Sequence, residues 1–225
     1  MVRARTWRVV PVTAWATVSY SSARQPGIVY IDVKSAPLLR LAEDLVHETT
    51  HARVHEIEAL APLVAASARE SSEGTEPRFY SPWRREWRPL RGLVHAVCTF
   101  TAGAMFFERM LMASEGNEHA VTAGPSRRRW LARRLLEERA SVAASLPVLR
   151  GAARHGMLTR AGRRVVGAAT REHLRLGRAA SGRRAWLAAT RAGRIELAAV
   201  EQLVASLRRQ PVRWVWQDGH GGSSR

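Results

Sequence analysis

The chain is nearly without cysteine. Cys98 stands alone among 225 residues, so no internal disulfide can form and no thiolate cluster can hold a metal. Lysine is as scarce: Lys34 stands against 35 arginines, a bias of the kind that GC-rich codons impose. Long apolar runs are missing, and no stretch approaches the roughly 20 residues expected of a bilayer span, which argues against a membrane protein. Residues 1–16 are broken by Arg3, Arg5, Arg8 and Pro11, so no signal peptide is visible. A reducing cytoplasm is the expected compartment. Acidic residues are scarce in one half only. Residues 1–119 hold 14 basic and 13 acidic side chains, whereas residues 120–225 hold 22 and six, which leaves +16 of the net +17 in the second half. Codon bias explains arginine over lysine but not the missing acids. The asymmetry points to an acidic partner, either an anionic peptide or a nucleic acid.

Hydrophobic residues make up 46% and charged residues 24%, enough apolar mass for a core. The length suits one large domain or one domain with an appended lobe. Arg8 to Val12, Trp15 to Tyr20 and Gly27 to Val33 are β-branched and aromatic and predict a small sheet. Ser35-Ala36-Pro37 then opens a helix, with Ser35 as N-cap. Leu38, Leu41, Ala42, Leu45, Thr49 and Ala52 recur at helical spacing to about Ala61, and Pro62 ends the run. Residues 67–77 read as a polar loop. Phe79 to Arg84 and Trp87 to Pro89 are too proline-interrupted for a regular element, although their aromatics must pack on something. Leu90 to about Met112 predicts a helix apolar on all sides, hence buried.

After a loop over 115–124, Pro125 begins a basic helix to about Arg150. Trp130, Leu131, Leu135 and Val142 form its inner stripe, and Arg127, Arg128, Arg129, Arg133 and Arg134 its outer one. Helical patterns follow at about Thr159–Gly177 and Arg191–Arg209. Val212 to Trp216 can close as a short strand, and Gly219 to Arg225 reads as a frayed tail. The expected fold is mainly α, with a small N-terminal β-sheet and a metal site between two long packed helices. The expected organisation is a metal-binding region over 1–119 and an Arg-rich helical region over 120–225, packed into one unit.

One motif carries chemistry. His47-Glu48-Thr49-Thr50-His51 lies inside the first long helix. Positions i and i+4 share a face, so two imidazoles can hold one metal ion at about 2 Å. Glu48 lies roughly 100° round, placed for a metal-bound water or a supporting role. A catalytic metal needs a third ligand. His55, two turns from His47 and about 12 Å along the axis, is too far for the same ion and is expected as a neighbour or an exposed residue. His95, in the apolar stretch Gly92-Leu93-Val94-His95-Ala96-Val97, is the better candidate, and Glu108 is the alternative.

His47-Glu48-x-x-His51 is followed by Phe79-Tyr80-Ser81-Pro82-Trp83-Arg84 and then by Arg88-Pro89-Leu90-x-Gly92-Leu93-x-His95. This series resembles the HExxH-motif peptide-modification proteins, which are associated with ribosomally made, modified peptides. The resemblance covers roughly residues 27–110, and its Ser-Pro-Trp-Arg and Arg-Pro-Leu-x-Gly segments are more specific than HExxH itself. It implies an Fe(II)- and 2-oxoglutarate-dependent oxygenase that hydroxylates a β-carbon in a precursor peptide. It also implies His47, His51 and His95 as metal ligands, an all-histidine set where the usual facial triad has a carboxylate. The far carboxylate of 2-oxoglutarate needs an arginine, with Arg88 ranked first and Arg84 second. A zinc metallopeptidase with Glu48 as general base is the alternative reading of the same residues. A non-catalytic binder of an acidic partner or nucleic acid is a third. Nucleic acid is disfavoured, because the arginines are spread over three helices with few aromatics beyond Trp130 and Trp186.

Overall fold

The computed structural model describes residues 8–13, 19–34, 37–68, 78–81, 86–115, 124–208 and 214–215. The expected strand residues 15–18, the Ser35 cap, most of the two loops, Arg84 and the tail lie outside them. β1 (Arg8–Val12) runs parallel to β3 (Ile28–Asp32), and β2 (Tyr20–Ser21) pairs antiparallel on the other side of β3. The alternation of β3 sends Val29 and Ile31 inward. They meet Leu41, Leu45 and Ala52 of α1 (Leu38–Leu60). Thus one side of α1 lies on the sheet, and another packs on α2 (Leu90–Glu115).

α2 corrects the expectation about apolar runs. Its 26 residues, with a window of mean hydropathy 1.4, are long and apolar enough to cross a membrane by length and composition. That apolarity is spent inward, because α1, α3 (Pro125–Arg154) and α4 (Arg160–Ala188) all pack on it. Its first half joins Leu146, Leu149 and Val166 in one core. Its second half joins Leu131, Leu135, Leu176 and Val200 in another, the last from α5 (Arg191–Arg208).

The segment taken as irregular is a hairpin. β4 (Arg78–Ser81) pairs antiparallel with β5 (Glu86–Pro89), and β6 (Trp214–Val215) adds to the far edge of β4. Pro82 lies outside the described residues, and Pro89 ends an edge strand, where its missing N–H breaks no interior ladder. Phe79 is the aromatic that packs, only 3% exposed in the core. β5 runs directly into α2, which ties Arg88 to the start of the His95 helix.

Two close approaches lock the helices. A Cβ on Gly162 would lie 2.0 Å from the Leu63 carbonyl oxygen, so only glycine lets α4 begin against the chain that leaves α1. There Thr159 caps α4 through Gly162 N (3.0 Å), and its backbone N–H donates to Leu63 O (3.1 Å). On α2, a Cβ at Gly103 would meet Glu138 Oε2 at 2.9 Å.

Glu138 belongs to a buried charge network that corrects the outer-stripe reading of α3. Arg134 does not face solvent. It binds Glu43 of α1 together with Glu137 and Glu138, and its guanidinium lies over Phe107, 5.5 Å from the ring centre. Arg133 bridges Glu137 and Glu196, and Arg128 donates to Ser114 O at 2.6 Å. The basic stripe is therefore partly a set of internal clamps.

Two predictions follow from the network. Arg134→Met strands several carboxylates and should cost about 3 kcal/mol or more in denaturant unfolding; a loss under 1 kcal/mol would mean the clamp is idle. Burial pushes the Glu138 carboxyl up to about 8, against the opposing pull of Arg134. A folded-state pKa above the unfolded one means its stabilising contribution is complete below the unfolded value, near 4.5, and is lost as pH rises through about 8. The melting temperature of Glu138→Gln should therefore gain on that of the unaltered protein between pH 5 and 9. Parallel pH profiles would refute this.

Candidate metal centre

His47, His51, His55 and Glu58 fall within an arc of about 80° on α1, at 3.6 residues per turn. The arc faces α2, which runs antiparallel and presents His95 and, one turn earlier, Arg91. His95 is 5% exposed and uses both ring nitrogens. Its Nε2 lies 3.0 Å from Glu58 Oε2, and its Nδ1 lies 3.1 Å from His51 Nδ1. His47 flanks His51 edge-on, with ring centres 4.8 Å apart, and packs its other side toward Phe100 at 6.3 Å.

Among the described residues, the trio of metal-type side chains whose ligand atoms lie within 4.8 Å of one another is His55, Glu58 and His95. His55 is thus a member of the cluster and not a bystander, and Glu58 is a residue that sequence reasoning missed. The signal was present: Glu58 continues the His47–His51–His55 face by one further turn. Arg91 already binds two members of this trio. Its Nη2 is 2.6 Å from Glu58 Oε2 and 2.9 Å from His55 Nδ1, and its Nε donates to the same Glu58 oxygen at 2.7 Å. A guanidinium already supplies the positive charge there.

The other end of His95 differs. The proton of a neutral His95 belongs on Nε2, facing the carboxylate, and this leaves the Nδ1 lone pair toward His51. Two nitrogens bound to one ion at about 2.0–2.1 Å stand about 2.9–3.4 Å apart, which brackets the observed 3.1 Å. Glu58 stands where a carboxylate would orient a histidine that binds a metal.

Electrostatics agree. Burial, then the neighbouring His47 and His95, push His51 down to about 3, so it is a neutral imidazole with one ring lone pair to give. Burial also lowers His95, against the pull of Glu58. Burial alone would raise Glu58, but hydrogen bonds from His55, His95 and Arg91 hold it well below the usual carboxylate range.

The remaining expected residues stand as follows. Glu48 turns to the sheet, where Ser21 Oγ donates to its Oε2 at 2.9 Å, and it is 7% exposed. Burial raises its pKa, only partly offset by that hydrogen bond. Glu108 is 13 residues beyond His95, about 20 Å along the helix, and is held by Arg175 at 2.7 and 3.2 Å. It does not join the histidines. Arg88 is close enough for its charge to act on His51, and its Nε contacts Glu86 Oε1 at 2.8 Å on the surface. Cys98 is no nucleophile, since burial pushes its thiol up to about 12.

Replacing Glu58 with Gln should lower metal affinity about 10- to 100-fold, the usual cost of losing an orienting partner, with little change in helix content. Unchanged affinity for Zn(II) or Fe(II) would remove Glu58 from the site. Scans of family models, of curated proteins and of solved structures each return no match for this chain.

Proposed function

We propose that the protein is a mononuclear non-haem metal enzyme, an Fe(II)- and 2-oxoglutarate-dependent oxygenase that hydroxylates a residue of a ribosomally made peptide. The observation that carries the metal half is the 3.1 Å approach of two neutral imidazole nitrogens, His51 Nδ1 and His95 Nδ1, with Glu58 behind one of them. The reaction class rests on the resemblance over residues 27–110. His51 and His95 would hold the ion, with His47 as the adjacent third imidazole. Iron bound there would supply the oxidising chemistry with 2-oxoglutarate as co-reductant of O₂.

The chain's own residues supply binding and order. Glu58 fixes the tautomer and aim of His95, and Arg91 neutralises Glu58. Arg88 is the cation for the far carboxylate of 2-oxoglutarate. Its present partner Glu86 is a half-exposed surface pair, worth little and readily exchanged. The net charge of +17 attracts an acidic peptide. The zinc metallopeptidase reading asks Glu48 to serve as general base. Its burial against Ser21 counts against that role and favours a structural one.

Anaerobically purified protein should take up one Fe(II) and give a 2-oxoglutarate-dependent visible absorption band. Glu48→Gln should keep the metal and the band, and His95→Ala should lose both. Peptide cleavage with zinc, abolished by Glu48→Gln and indifferent to 2-oxoglutarate, would replace this reading with the metallopeptidase.

A further inference from the structure

Helices α3, α4 and α5 flank a half-open cleft of about 490 Å³, lined by residues of these three helices alone. Small-molecule sites span about 300–1,000 Å³. The buried part of the lining is apolar: Leu136, Ala180, Val200 and Leu207. The exposed part includes Arg184 and Arg208. Arg139 and His173 stand half-buried between these parts.

Arg139 is the half-buried cation of this lining. Elsewhere in the helical half, Arg133, Arg134 and Arg183 are each matched to carboxylates. Among the described residues Arg139 has no acidic partner. Its guanidinium donates from Nη2 to the His173 carbonyl at 3.1 Å, and its Nε is buried with no hydrogen bond. His173 Nδ1 is likewise buried and unpaired. Burial, then the charges of Arg139 and Arg150, push that imidazole down to about 4, so it is neutral and adds no positive charge at pH 7. A partly desolvated cation without a counter-charge costs stability until an anion reaches it. The guanidinium fork suits a carboxylate.

A half-buried cation without an acidic partner, beside a wall of aliphatic side chains, calls for a negative charge on a hydrocarbon body. We propose that this cleft binds a small aliphatic monocarboxylate, its head on Arg139 and its chain over Leu136, Ala180, Val200 and Leu207. Arg208, and Arg184 beside its Glu201 partner at 2.6 Å, stand at the exposed edge and draw anions in. An acidic peptide would need a longer groove than this volume provides.

The test is calorimetric titration of the full chain with decanoate, with decanol as the neutral isostere, and with an acidic helical peptide. Decanoate should bind saturably at one site, at least about tenfold more tightly than decanol. Arg139→Gln should weaken decanoate about 10- to 100-fold, the range of a charge-assisted hydrogen bond, and leave decanol unchanged. Ala144→Phe, which fills the cleft, should abolish both, and metal content should not move. Equal affinity for decanoate and decanol, indifference to Arg139→Gln, or binding of the peptide without decanoate would each overturn the proposal. Should either variant fail to fold by circular dichroism, the decanoate-to-decanol ratio on the unaltered protein decides the question.

Discussion

A histidine buried among valines and leucines is costly unless its ring nitrogens find polar neighbours, and His95 finds both on one helix face. Glu58 takes its Nε2, and His51 meets its Nδ1. Those partners sit about two turns apart on α1, so His95 sets the register of α1 against α2. The rest is arranged around that contact. α1 must lie antiparallel to α2, and its sheet-facing side then falls on Val29 and Ile31. Glu48, next to a metal-type histidine in sequence, turns to Ser21 because the neighbouring stretch of helix surface belongs to the sheet. An HExxH spacing therefore does not decide what its glutamate does. The element packed on the second face decides it.

The helices were legible in the sequence because periodicity reports burial directly. α1, α2 and α5 begin and end within a few residues of the pattern, and the apolar Leu93-Val94-Val97 run became core. α4 runs eleven residues past Gly177, because glycine in a helix costs only about 1 kcal/mol and the packing of Ala180 and Leu187 outweighs it. The β4–β5 hairpin was not legible. Its strands are four residues each, and β5 ends in a proline, so too few positions exist to establish a period of two.

The site was partly legible for a similar reason. His47, His51 and His95 stand out as residue types in unusual surroundings. Glu58 and Arg91 do not, since Glu and Arg on helix surfaces are ordinary. Only the antiparallel register turns them into a charged pair behind His95. Reading the helix face through its fourth turn would have flagged Glu58. Nothing along the chain would have linked it to Arg91, 33 residues away.

The charge asymmetry takes a different meaning once the partners are known. Three acids of the first half, Glu43, Glu108 and Glu115, bind Arg134, Arg175 and Arg183 of the second. The acid-poor half thus leans on carboxylates from the acid-rich one, and these ion pairs cross the boundary at residue 119. A division into a catalytic half and a separate basic half breaks all three. Of these, Arg134–Glu43 is the most buried, so it contributes least as a surface charge and most as a clamp that holds α3 to the helix bearing His47 and His51. Part of what looks in the sequence like a footprint for an outside partner is the protein's own inner contact. The surplus that remains on α3, α4 and α5 is the part left for a ligand, and Arg139 is where that surplus is half-buried without an acidic partner among the described residues.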